Sequence, residues 1–195
     1  MGEPMLAALR DAGFDAIGFD VRAPQSYGEF ADAITDDVPR FAEHLKILIS
    51  VVRDIEQTEA LLFETQALAA GAPGLRSIII CSTLSPRYLQ GLKGRLPSQI
   101  TLVDAPMSGA TIAARERRLS FMMGGEEADL TALRPLFEAM GTSFHTMGPF
   151  AAGMTAKVLN NLLAASSTAM TRLVLDWAVD LGLDERSLLA LIDKS

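Results

Sequence analysis

Three groups of residues carry side chains that could do chemistry. Lys157, Asn160 and Asn161 stand three and four residues apart behind Gly148 and Gly153, so on a helix they share one face near its first turns. A lysine in an apolar, dry cleft has its charged form disfavoured, which brings its pKa toward working pH and suits it to proton transfer. The same spacing also describes a solvated helix face. In Asp104-Ala105-Pro106-Met107-Ser108-Gly109 a Ser-Gly turn leaves an apolar segment. Such a turn offers a hydroxyl and close-lying N–H groups to a carboxylate or a developing oxyanion. An ordinary Pro- and Gly-containing turn reads the same way.

The third group is Gly2 and Asp20. A glycine opening a helix, then a strand, then an acid about 20 residues on has the spacing of the back half of a dinucleotide-binding unit. There the glycine lets helix and strand pack closely, and the acid takes the ribose hydroxyls. A helix that merely starts with Gly and a strand that merely ends with Asp fit equally. His44 and His145 lie far apart with no Cys partners, which gives no metal site.

These residues must be positioned by alternating elements. A helix is expected over 3–12 with Gly13 as its stop, a strand over 16–20, a weak helix over 27–34, a strand over 47–52 and a helix over 55–70. Strands follow at 77–81, 101–104 and 119–123, with a short helix after Pro86 between the first two. A helix over 128–140, a long apolar helix over 155–181 and a last helix from about Asp184 complete the chain. The alternation predicts an α/β fold: a Rossmann-type, mostly parallel sheet, then a long interdomain helix and the start of an all-α domain. The boundary is placed near Gly153, giving 1–153 and 154–195. Doubly wound sheets open with a strand and this chain opens with a helix, so the first strand reads as missing and the helical domain as incomplete.

Composition narrows the class further. The chain has 195 residues, 49% hydrophobic and 21% charged, which excludes a disordered or collagen-like polymer. A formal charge of −7 argues against a broad nucleic-acid surface, and no segment is apolar enough to span a membrane. The single Cys81 within an apolar run, and a start without a signal peptide, suggest a reducing, cytoplasmic setting. Leu173 and Trp177 on the long helix predict packing on further helices or a second copy, and so a homo-oligomer.

Taken together, Asp104 to Gly109, Leu119-Ser120-Phe121-Met122-Met123-Gly124-Gly125, the segment from Gly153 through Lys157 to Asn161, and Cys81-Ser82-Thr83-Leu84-Ser85-Pro86 resemble a known family. In order, and over nearly the whole chain, they look like the β-hydroxyacid dehydrogenases, in the branch of 3-hydroxyisobutyrate dehydrogenase and tartronate semialdehyde reductase. The resemblance implies hydride transfer between a nicotinamide cofactor and a small β-hydroxy acid or its semialdehyde. It implies that Lys157 is the general acid/base, that Ser108 and Gly109 bind the substrate carboxylate, and that Asn161 orients the reacting group. It puts Gly2, Asp20, Val52, Arg53, Ser82 and Thr83 at cofactor positions. Asp20 favours NAD, since a carboxylate repels a 2′-phosphate, while Arg22 keeps NADP open.

Departures from the family pattern accompany the matches. Ala110, Ile112 and Arg117 stand where the family usually has glycine; Ala110 is a small change, whereas Ile112 and Arg117 replace residues suited to positive φ, so the loop is expected to differ locally. Val52-Arg53 replaces a common Leu-Pro pair. Arg115, Arg117 and Arg118 could recognise a further substrate carboxylate, although with Glu116 among them a solvated turn is the better reading. Two other functions compete: a non-catalytic remnant that folds and associates through its long helix, and an imine reductase, which Lys157 disfavours.

Overall fold

The structure, a computed structural model, describes residues 1–194. Its contacts divide the chain into two units, with the division between Lys157 and Val158.

In the first unit α1 (Gly2–Asp11) buries Met5, Leu6 and Leu9 and is stopped at Gly13, whose φ is 88°. β1 (Gly18–Phe19) and β2 (Ile34–Thr35) flank a 3₁₀ segment, Pro24–Ala33, kinked at Gly28. The weak helix expected over 27–34 thus lies in 3₁₀ form, and its last residue belongs to a strand. α2 (Val38–Glu43) leads to β3 (Ile47–Ser50). α3 (Ile55–Leu62) is capped by Asp54, which accepts from the Gln57 N–H.

The helix expected over 55–70 is broken. It resumes only as α4 (Leu68–Gly71), because Ala67 adopts a left-handed conformation at φ 48°. β4 (Ser77–Ile80), α5 (Pro86–Leu92), β5 (Thr101–Asp104), β6 (Met107–Ser108) and α6 (Thr111–Arg115) follow. β7 (Leu119–Gly124), α7 (Glu127–Met140) and β8 (Gly141–Gly148) then precede α8 (Ala152–Asp180), which runs through the division. α9 (Glu185–Ile192) lies in the second unit.

β3, β4 and β5 pair in parallel, β7 runs antiparallel to β5 and β6, and β8 is parallel to β7. β1 and β2 form a separate parallel pair. Alternation along β4 explains why the sheet is covered on both faces: Ile78 and Ile80 join one apolar cluster, Ile79 and Cys81 the other. All four are buried, so the continuous apolar run is that of a central strand. The division falls four residues beyond the expected boundary because Met154, in the first turn of α8, is buried in the first unit's core together with Ala151 just before the helix. No helix among the described residues is long and apolar enough to cross a membrane.

Candidate active site

β5 ends at Asp104, and the chain turns through Ala105 and Pro106 into β6, whose Ser108 pairs with Ser120 of β7. The strand register thereby fixes where the Ser108 backbone stands. Gly109, at φ 129°, makes the turn out of β6 that a side chain would strain. Ser108 is half-buried and Gly109 exposed. Of the three positions where the family usually has glycine, Arg117 alone takes positive φ, 55°. Ala110 caps α6, and Ile112 is helical within it.

Arg117 pairs with Asp11 at 2.5 Å and Arg118 with Glu116. Two of the three clustered arginines are therefore held by acids of this chain.

α8 starts against β5. The Asp104 carboxylate, fully buried, accepts the Ala151 N–H at 2.7 Å and the Met154 N–H at 2.5 Å. Burial pushes its pKa up to about 6 against the opposing pull of the Met154 and Ala151 N–H groups. Lys157 follows one turn on. It is half-buried, and that burial lowers its pKa below the ordinary lysine value. Asn160 and Asn161 lie three and four residues further along the same helix, exposed and in the second unit.

The residues expected at cofactor positions are spread over four strand or helix ends. Val52 and Arg53 follow β3 and Ser82 and Thr83 follow β4, the two strands being parallel neighbours with Ser50 opposite Ile80. The Arg53 N–H is bound by Gln57 Oε1 at 3.0 Å. Ser50 Oγ and Ser82 Oγ are buried without a hydrogen-bond partner, two orphaned hydroxyls at one end of the sheet. Polar groups left so take a partner from outside the chain, an ordered water or a ligand, and a dinucleotide with its hydroxyls and phosphates fits that chemistry. Ser50 was not singled out from sequence, where it lies within the strand expected over 47–52.

Asp20 follows β1, and both its oxygens are engaged by Arg22. Oδ1 accepts the backbone N–H at 2.9 Å and Nε at 3.2 Å, and Oδ2 accepts Nη2 at 3.3 Å. Burial raises the Asp20 carboxyl, but hydrogen bonds from Arg22 and Tyr27 outweigh it and leave the pKa below the usual range. Arg22 Nη2 also donates to Tyr27 Oη. Gly2 opens α1 with nothing within 4 Å of where a Cβ would stand. The tight approach in this region falls instead at Gly18, where a Cβ would come within 2.9 Å of Leu6.

Comparison with known proteins identifies the family. Residues 1–148 match the family described as the NAD binding domain of 6-phosphogluconate dehydrogenase. The 3-hydroxyisobutyrate dehydrogenase of Pseudomonas aeruginosa is 32% identical over 187 residues, spanning 94% of this chain and 63% of that protein. The 2-hydroxy-3-oxopropionate reductase of Escherichia coli is 30% identical, over 94% of this chain and 64% of its own length. This chain thus spans less than two thirds of the length of these curated relatives. The solved structure of Mycobacterium tuberculosis 3-hydroxyisobutyrate dehydrogenase with L-serine superposes with a TM-score of 0.88 at 29% identity, covering all of this chain and 67% of that one. The chain belongs to the β-hydroxyacid dehydrogenase family, through the NAD-binding domain it shares with 6-phosphogluconate dehydrogenase.

Proposed function

We propose that the protein is an oxidoreductase that moves a hydride between a nicotinamide cofactor and a small β-hydroxy acid or its semialdehyde. The observation that carries this reading is Lys157, half-buried just after the anchored first turn of α8 with its charged form disfavoured. An amine so placed takes the hydroxyl proton when the alcohol is oxidised and returns it when the semialdehyde is reduced. Ser108 and the N–H groups of its turn with Gly109 hold the substrate carboxylate, and Asn161 orients the reacting group. The nicotinamide, when bound, supplies the hydride acceptor or donor. Gly2, Asp20, Val52, Arg53, Ser82 and Thr83 are the residues proposed to hold it, with NAD preferred over NADP.

The named relatives act on 3-hydroxyisobutyrate and 2-hydroxy-3-oxopropionate, and a small acid of that kind is the proposed substrate. Exposed Leu162, Leu163 and Trp177 on α8 suit association with a second copy, and a cytoplasmic location is the corresponding proposal.

Fluorescence titration with NADH, with NADPH as control, tests the cofactor. Turnover of a panel of β-hydroxy acids by the wild type and Lys157→Ala tests the chemistry. Saturable binding with Lys157-dependent turnover is the expected result. A folded chain that neither binds nor turns over would instead be the non-catalytic remnant.

A further inference from the structure

The first turn of α8 is held in an unusual way. A helix N-terminus leaves N–H groups that a Ser, Thr, Asp or Asn at the cap position ordinarily satisfies from within a few residues. Here the residue before the helix is Ala151, which has no polar side chain, and the acceptor is supplied by Asp104, 47 residues earlier in the chain. Each oxygen takes a different donor: Oδ1 the Ala151 N–H, Oδ2 the Met154 N–H. Two points of attachment fix both the approach of the helix and its rotation, whereas one would leave it free to pivot.

The surroundings are shaped around this clasp. Ala151 is held at φ 77°, a conformation that alanine disfavours. A Cβ on Gly124 would collide with the Asp104 carboxylate and lie 2.8 Å from the Pro149 carbonyl oxygen. A Cβ on Gly153 would collide with the Met122 carbonyl oxygen and approach Asp104 Oδ2 to 3.0 Å. Met154 is tied a second time, its sulfur accepting the Leu84 N–H at 3.2 Å. A buried carboxylate is costly, and a local cap would satisfy the same donors at less cost. The long-range carboxylate instead joins the end of a strand to the start of a helix.

We infer that Asp104 is a positioning residue: by accepting the Ala151 and Met154 N–H groups, its carboxylate fixes the first turn of α8, and with it Lys157, to the end of the strand that runs on to Ser108 and Gly109. Lys157 is three residues, about 4.5 Å of helix rise, past Met154, and Ser108 is four residues past Asp104, about 14 Å of chain at most. Both proposed reacting groups are thus referred to one carboxylate. The inference rests on the reading of Lys157 as the acid/base, but the clasp can be tested without turnover.

The full chain is compared with Asp104→Asn, which keeps the shape and replaces one acceptor by a donor. Amide exchange at Ala151 and Met154 is expected to rise about tenfold or more while the rest of the first unit keeps its protection. The NMR titration of methylated Lys157 is expected to move up toward the ordinary lysine value. If the wild type turns over, kcat falls about tenfold or more with the NADH Kd within about twofold, because the cofactor positions lie on other strand ends. A merely structural role would lower binding capacity and kcat together and leave the Lys157 titration where it was.

Unchanged exchange and an unchanged Lys157 titration would overturn the inference. Absence of wild-type turnover would defeat the acid/base reading and leave these two signals to decide the clasp. Should Asp104→Asn fail to fold, the wild type alone decides. Its Ala151 and Met154 amides should exchange at least about tenfold slower than that of Ser187, which is capped by the exposed local Asp184. Equal rates would refute the clasp.

Discussion

Asp104 Oδ1 lies 2.7 Å from the amide nitrogen of Ala151, a single bond that joins a strand end to a helix start. The carboxyl it uses has its pKa raised from 3.8 to about 6 by burial, against the pull of the N–H groups it accepts. A carboxyl whose folded pKa exceeds its unfolded one binds its proton more tightly when folded. Its contribution to stability is therefore full below about pH 4 and lost as the pH rises through about 6. At about 1.4 kcal/mol per unit, the wild type should gain up to about 3 kcal/mol relative to Asp104→Asn as the pH falls from about 7 to about 4. Urea unfolding across that window measures it, and a difference that stays flat would contradict the assigned shift.

Lys157→Ala should lower kcat for hydroxy-acid oxidation by about 10² to 10⁴, the range for a lost general base, while the NADH Kd changes by less than about twofold. Since burial depresses the Lys157 pKa, the wild-type oxidation rate should rise with pH and level off below the ordinary lysine value. A pH profile that is the same in both proteins would remove the lysine from the chemistry.

Asp20 is expected to discriminate between cofactors although Arg22 already occupies its oxygens. Asp20→Ala removes the carboxylate that repels a 2′-phosphate and releases Arg22 to receive one, so the NADPH-to-NADH affinity ratio should rise about tenfold or more. Paired titrations of both cofactors decide it; a ratio that does not move would place recognition of the ribose elsewhere.

Cys81 is buried, and burial followed by the neighbouring Asp104 charge pushes its thiol up to about 12. Since the thiolate is the reactive form, an aromatic disulfide reagent should leave the native chain unlabelled and modify it only at the rate of unfolding. Rapid labelling under native conditions would show this strand to be open.

Ala67 starts α4 at φ 48°, where an L side chain costs about 1 to 2 kcal/mol that glycine does not incur. Part of that gain is lost to the greater freedom of glycine when unfolded. Ala67→Gly should stabilise the chain by about 0.5 to 1 kcal/mol in denaturant unfolding. A loss of stability would mean that the alanine methyl contributes more than the backbone strain costs.

Much of the framework was legible from residues. Ile78, Ile79 and Ile80 gave β4 because a strand buried on both faces needs an unbroken apolar run, and the helix expected over 128–140 is α7. Other elements depend on partners no local window contains. β8, Gly-Thr-Ser-Phe-His-Thr-Met-Gly, has no apolar run, and it is a strand because β7 lies beside it. The break between α3 and α4 carries neither Gly nor Pro from Phe63 to Ala67, so a good helix former stands where the helix fails.

At the candidate site the residue types were readable and their connections were not. Lys157 and Ser108 could be picked out one by one, but the carboxylate that ties their segments together read only as the end of a strand. Ser50 went unseen for a similar reason, since nothing in its neighbours shows that its hydroxyl is left without a partner.

Fifty residues separate Asp104 from Met154 in the chain, about 3 to 10 s of synthesis at 5 to 20 residues per second. For that interval the newly made strand end carries a hydrated carboxylate whose eventual donors do not yet exist. Its transfer out of water must wait for the arrival of α8's first turn, and that makes the joining of α8 to the end of β5 one of the last events in the maturation of the first unit.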